Sequence, residues 1–181
     1  SFLMEQGFLT EKKKISSIKH YETDTLKDLY MYNMGNVILQ VTQNCNLRCE
    51  YCVYSGSYIN RVHTNKRMSF ETAVKTIDFL AAHSLNCNEV SIGFYGGEPL
   101  LNMKLIQETI AYIESLHIDN LRFSYNMTTN AMLLGRYMDY LVEKDFTLLI
   151  SLDGDEYQSG YRVDKHGKSS FTHVVGNIQK L

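Results

Sequence analysis

Runs of β-branched and aromatic residues alternate with helical patterns from residue 37 to residue 181, and this alternation restricts the fold more than any other feature. Val37–Thr42 is a β-branched run that reads as a buried strand. Phe70, Ala73, Val74, Ile77 and Leu80 recur at helical spacing and predict an amphipathic helix over Ser69–His83. Ser69, Glu71 and Thr72 suit its N-terminal turn. A second strand is expected over Glu89–Tyr95, running into Gly96-Gly97, and a second helix over Asn102–Leu116, marked by Ile106, Ile110 and Ile113. Leu121, Phe123, Tyr125 and Met127 alternate along a third strand, Leu121–Thr128. Leu134, Met138, Leu141 and Val142 mark the apolar side of a third helix. Phe146–Leu152 reads as a fourth strand, and a fourth helix begins over Phe171–Leu181. Strands alternating with helices imply βαβ units, an α/β fold and a parallel sheet.

Function in such sheets gathers at the carboxyl ends of the strands. Four segments follow directly from the four expected strands and should therefore share one rim. They are the loop from Cys45, Gly96-Gly97-Glu98-Pro99, Thr128-Thr129-Asn130 and Ser151-Leu152-Asp153-Gly154.

The first of these is the most informative chemically. Cys45, Cys49 and Cys52 stand at C-x3-C-x2-C spacing, with the aromatic Tyr51 before the last cysteine. Three thiolates on a tight loop can hold three irons of a [4Fe–4S] cube and leave the fourth iron open. An open coordination position marks a catalytic rather than a structural metal centre. Zinc is the main rival, but a closed zinc site needs four ligands, and neither His63 nor Cys87 follows at a finger-like spacing. A disulfide would suit a secreted protein, and nothing in the sequence suggests secretion. Cys87, away from the motif, reads as an ordinary buried thiol.

Composition narrows the function classes. The hydrophobic content of 44% and the charged content of 21% are those of a globular protein, and 181 residues suffice for one domain. A net charge of −2 offers no field for nucleic acid, and Lys12-Lys13-Lys14 reads as a solvated turn. No apolar run reaches membrane-spanning length and no signal peptide opens the chain. Together with three clustered cysteines, this points to a reducing cytoplasm.

With these motifs in place, the chain resembles the radical SAM enzymes, over roughly Val37–Leu181. Gly96-Gly97-Glu98-Pro99 looks like the family's GGE motif. Its glycines let backbone approach a ligand, its carboxylate can accept from an ammonium group, and its proline fixes the turn. A helix-capping role for Glu98 is the plainer alternative. Thr128-Thr129-Asn130 looks like the TTN segment, placed to meet the carboxylate or ribose of S-adenosylmethionine (SAM). An N-cap role for Asn130 stands beside that reading. Relatives usually have glycine next, so Ala131 must adopt whatever backbone angle that glycine used. Ser151-Leu152-Asp153-Gly154 resembles the SLDG segment of peptide-modifying members, although the usual following proline and His-Asp pair are absent. Arg162 matches the arginine that faces the SAM carboxylate, or else is a surface residue in a polar loop. Tyr51 sits where relatives place an aromatic near the adenine, with packing beneath the loop as the alternative.

The stretches Leu39–Gly56 and Phe94–Leu101 are similar to radical SAM peptide maturases carrying a C-terminal SPASM or twitch region. Among these, maturases of cysteine-rich peptides install thioether crosslinks, and anaerobic sulfatase maturases carry similar motifs. The resemblance implies a partial parallel (β/α) barrel of about four βα units, truncated, over residues 36–181. Residues 1–35 would be the tail of a leader-peptide recognition domain or a linker, and the chain a fragment of a longer enzyme. It also implies that Cys45, Cys49 and Cys52 hold a [4Fe–4S] cluster whose open iron binds SAM. Reductive cleavage would give methionine and a 5′-deoxyadenosyl radical that takes hydrogen from a precursor peptide. The electron would come from a donor such as flavodoxin or ferredoxin. An iron–sulfur electron carrier, or a non-catalytic peptide-binding module, are the readings from other classes.

Overall fold

In a computed structural model of the chain, residues 2–8, 17–55, 59 and 62–181 are described. The Lys12-Lys13-Lys14 run, Gly56 and Tyr58 lie outside the described residues. Strands β1 (Asn36–Thr42), β2 (Glu89–Gly96), β3 (Arg122–Thr129) and β4 (Thr147–Ile150) form one sheet in the order β1-β2-β3-β4. All neighbours are parallel, with Leu39 opposite Phe94, Phe94 opposite Met127 and Thr129 opposite Ile150. The helices are α1 (Phe2–Glu5), α2 (Leu26–Tyr32), α3 (Phe70–Ala82), α4 (Met103–Ser115), α5 (Leu134–Glu143) and α6 (Phe171–Ile178). This is the expected α/β arrangement, with four parallel strands alternating with helices.

Strand periodicity separates the two faces of the sheet. Leu39, Val41, Val90, Ile92, Phe94, Tyr125 and Met127 are buried and join the core. Ala73, Ile77 and Leu80 from α3 pack with them, as do Ile106, Ile110 and Ile113 from α4 and Leu134 and Leu141 from α5. Removing the side chain of a fully buried Ile or Leu here costs about 2–5 kcal/mol. The opposite face carries Ile38, Gln40, Tyr95 and Leu149, all exposed. Ser69 caps α3 as expected, its Oγ accepting from the Thr72 N–H at 3.2 Å.

Several local expectations are corrected. Val142 lies on α5 but is 65% exposed, so the apolar face of that helix is Leu134 and Leu141 alone among its fully buried residues. Strand β4 stops at Ile150. The Ser151 N–H still donates to the Thr129 carbonyl at 2.9 Å, and the chain bends at Gly154. Helix α2 leaves Leu26, Leu29 and Tyr30 exposed. Its end is tied down through Asn86 N–H to the Tyr32 carbonyl (2.9 Å) and Met34 N–H to the His83 carbonyl (2.9 Å). Cys87 is half-buried rather than buried, its thiol pointing at the Met34 carbonyl at 3.7 Å.

Candidate metal and cofactor site

The carboxyl ends of the strands converge on a cavity of about 370 Å3. Its wall contains Cys45, Cys49 and Cys52 with Tyr51, Gly96 and Gly97 at the end of β2, Thr128, Thr129 and Asn130 at the end of β3, and Ser151 after β4, together with Arg162. Four separate loops thus reach one chamber because parallel strands point all their carboxyl ends the same way. Glu98, Pro99 and Asp153 do not line it.

The GGE segment is built against the cysteine loop. A Cβ on Gly96 would lie 2.1 Å from the Thr42 carbonyl oxygen, and one on Gly97 would lie 2.3 Å from that of Asn44. Gly96 also has φ of +146°, which other residues rarely adopt. The glycines are therefore required by the neighbouring backbone, where the sequence alone suggested close approach to a ligand. Two hydrogen bonds complete the seam: Gly97 N–H to the Thr42 carbonyl (3.0 Å) and Glu98 N–H to the Asn44 carbonyl (2.9 Å).

Glu98 is 0% exposed. Its Oε1 accepts from the Leu100 N–H (3.0 Å) and the Thr129 hydroxyl (2.8 Å), and its Oε2 accepts from the Asn130 N–H (2.8 Å). Burial pushes its carboxyl up from the usual carboxylate range, while the three donors and the Arg162 charge oppose that shift. The Leu100 bond caps the short 3-10 turn Pro99–Asn102, so the capping alternative holds, and the other two bonds join the GGE segment to the end of β3. Pro99 is buried at the first position of that turn, where its missing N–H costs nothing.

Asn130 does not cap α5; Leu133 occupies that position. Instead its Nδ2 donates to Asn46 Oδ1 at 2.8 Å and lies 3.6 Å from Cys45 Sγ, while its Oδ1 accepts from the Met132 N–H at 3.0 Å. Ala131 behind it has φ of +58° and is 0% exposed. It does take the left-handed backbone that glycine takes more readily, at a cost of about 1–2 kcal/mol.

Tyr51 is 53% exposed, so it is not packed beneath its loop. Its hydroxyl donates to Asp153 Oδ2 at 2.5 Å and accepts from Arg162 Nη1. Desolvation, followed by the Asp153 bond, pushes the phenol up to about 12. Arg162 is no surface residue: it is 8% exposed and also reaches Asp153 at 3.4 Å. Its Nε–H has no hydrogen-bond partner among the described residues.

The cysteines fit an iron–sulfur group by chemistry and environment. All three are free thiols on one wall. Burial pushes the Cys45 thiol up to about 11, with Glu98, Cys49 and Cys52 adding repulsion against the bond from the Leu47 N–H. Burial raises the Cys49 thiol too, with Arg162 opposing. Thiols held in such surroundings ionise when a cationic metal core compensates them. Among the described residues no three His, Cys, Asp or Glu side chains gather around one ion position. A cube offers each thiolate a different iron, so convergence on a single point is not what it requires.

Asn46, Gln40, Tyr95 and Ser55 were not singled out in the sequence, and His63 was weighed there only as a zinc ligand; all but Asn46 line the cavity, with His63 Nε2 2.7 Å from Ser55 Oγ. Gln40 and Tyr95 face each other across β1 and β2 on the open side, a placement that strand alternation could have revealed.

Comparison with known proteins agrees with this arrangement. The family model described as the Radical SAM superfamily matches residues 39–181. An uncharacterised protein of Methanocaldococcus jannaschii is 40% identical over 139 residues, which is 76% of this chain and 45% of that one. The cysteine-type anaerobic sulfatase-maturating enzyme of Clostridium novyi is 30% identical over 154 residues (83% of this chain, 41% of that one). The radical SAM cyclopropyl synthase TigE of Paramaledivibacter caminithermalis is 25% identical over 190 residues (98% and 39%). The chain thus spans less than half the length of these relatives. The fold matches the solved structure of native anSMEcpe with bound AdoMet, with a TM-score of 0.70 at 23% identity over 80% of this chain and 40% of that one. No helix among the described residues is long and apolar enough to cross a membrane. The chain belongs to the radical SAM superfamily, whose cofactors are a [4Fe–4S] cluster and S-adenosylmethionine.

Proposed function

We propose that this chain is the cluster- and SAM-holding part of an enzyme that modifies a peptide by radical chemistry. The observation that carries the reading is the single cavity onto which Cys45, Cys49 and Cys52 open together with the ends of β2, β3 and β4. When bound, the cluster and SAM supply a carbon radical able to take hydrogen from an unactivated carbon.

The residues divide that work. Cys45, Cys49 and Cys52 are the ligands for three irons. Gly96 and Gly97 present bare backbone to the cavity beside them. Glu98 acts on SAM through its neighbours, because its two oxygens are filled by Leu100, Thr129 and Asn130. Ser151 offers a small polar group to the amino acid or ribose portion, and Thr129 and Asn130, whose side chains are engaged by Glu98, Asn46 and Met132, shape the wall beside it. Arg162 is a buried cation whose Nε–H has no partner among the described residues, a charge suited to a carboxylate. Tyr51, anchored by Asp153, gives the adenine a wall.

A peptide substrate is supported by the likeness to a sulfatase-maturating enzyme and to TigE. A related solved structure holds AdoMet and the Cp18Cys peptide. We favour a thioether crosslink in a ribosomally made, cysteine-bearing peptide, with sulfatase-type oxidation of a protein side chain as the alternative chemistry. In this reading residues 36–181 are the N-terminal part of a radical SAM barrel, and residues 1–35 the tail of a leader-peptide recognition domain or a linker. Electrons come from a flavodoxin- or ferredoxin-like donor. The test incubates anaerobically reconstituted protein with SAM, a reductant and cysteine-bearing peptides. The expected result is 5′-deoxyadenosine together with a peptide lighter by two hydrogens. Deoxyadenosine release with every peptide unchanged would remove the peptide reading and leave SAM cleavage standing.

A further inference from the structure

The connection from β4 to α6 does more than deliver Arg162. Residues 161–164 run antiparallel to the loop that carries the cysteines. The Arg48 N–H donates to the Val163 carbonyl at 2.6 Å and the Glu50 N–H to the Tyr161 carbonyl at 3.0 Å, and Leu47 bridges to Asp164. Alternate residues do the pairing, as in a strand, so Arg162 and Asp164 turn their hydrogen bonds the other way. There they meet a second arm. The Ser170 N–H and hydroxyl both reach the Arg162 carbonyl, at 3.0 and 2.8 Å, and Val163 bridges to Ser169.

The turn between the arms is closed by one side chain. Asp164 Oδ1 accepts from the His166 N–H (2.7 Å) and the Lys168 N–H (3.0 Å). The Asp164 N–H donates to the Lys168 carbonyl (2.9 Å), and Gly167 takes φ of +77°. An aspartate opening a turn and a glycine three residues on is a standard hairpin chemistry. The buried Ser170 anchors the far arm at the start of α6.

We propose that the hairpin 161–170 is a strap for the cysteine loop, with Asp164 and Ser170 as its positioning residues. The strap satisfies the two loop amides that flank Cys49 and places the Arg162 charge beside Cys49 and Tyr51 in the same movement. Neither positioning residue lines the cavity. Their influence on a cluster passes through loop order, charge placement and water access, which are among the factors that set the properties of iron–sulfur centres. This rests on the reading of the cysteine loop as a cluster site, but its first test does not need the cluster.

Amide hydrogen exchange of the full chain before reconstitution tests the strap directly. In Asp164→Ala the amides of Arg48 and Glu50 should exchange about tenfold faster, equivalent to about 1.4 kcal/mol of lost closure. The amides of β2 should keep their wild-type rates, and Asp164→Asn, which retains the accepting oxygen, should restore protection. Ser170→Ala should show the same pattern with a smaller change. After reconstitution, Asp164→Ala should retain its iron but show an altered EPR spectrum, again restored in Asp164→Asn. Unchanged exchange at Arg48 and Glu50 would overturn the proposal. So would acceleration of β2 by the same factor in both alanine variants, since the hairpin would then be part of the core rather than a strap. An EPR spectrum unaltered in Asp164→Ala would remove the influence on the cluster.

Discussion

The cysteine loop is held on two sides, and the two sides are built differently. Toward β2 the contact is backbone against backbone, so tight that a single methyl on Gly96 or Gly97 would overlap a carbonyl oxygen. Toward β4 the contact is a hairpin that offers alternate carbonyls to alternate amides and closes through a side chain at its far end. One side fixes position by excluded volume, and the other by hydrogen bonds that can open and reform. A cluster site has use for both. Under the proposed function, the backbone side would keep the cavity wall fixed beside SAM, and the hydrogen-bonded side would let the loop adjust to a cube.

The rigid side should fail hardest. Gly97→Ala places a Cβ 2.3 Å from the Asn44 oxygen, so the seam between β1 and β2 must part. A loss of about 3 kcal/mol in unfolding free energy is expected, measured by denaturant titration, with cluster uptake lost alongside. A variant as stable as wild type would show that the seam is not tight. Glu98→Gln sits one residue further from the loop and should do less. The amide keeps one accepting oxygen, but its NH2 then faces the Asn130 or Thr129 and Leu100 donors. A destabilisation of about 1–3 kcal/mol is expected. SAM affinity should weaken more than cluster content, read as the SAM concentration needed to shift the EPR signal. Equal losses of iron and of SAM response would place Glu98 with the glycines rather than between the loop and β3.

Much of this was legible in the sequence, and for identifiable reasons. Strand and helix positions followed from period-2 and period-3.6 patterns, and Ser69 was visible as a cap because capping is local chemistry. The common rim followed from strand parallelism alone. The left-handed backbone at Ala131 followed from what relatives carry there. What escaped depends on which atoms meet across the chain. Nothing local shows that the glycines answer to Thr42 and Asn44, or that Glu98 spends its oxygens on Leu100, Thr129 and Asn130. Arg162 is buried because the strap carries it inward, whereas its local sequence is that of a polar surface loop. Val142 errs the other way: it extends a helical pattern beyond the face that the sheet covers. The Asp164–Gly167 spacing was a turn signal within reach of the sequence, yet its meaning lies in the pairing with residues 47–50.

The central claim is that the cysteine loop holds a cube with an iron open to SAM. The most direct measurement is the EPR spectrum of the reduced, anaerobically reconstituted protein with and without SAM, beside Cys45→Ala. A cubane signal that shifts when SAM is added, and is absent in Cys45→Ala, is the predicted result. A cubane signal indifferent to saturating SAM, or zinc bound in place of iron, would contradict it.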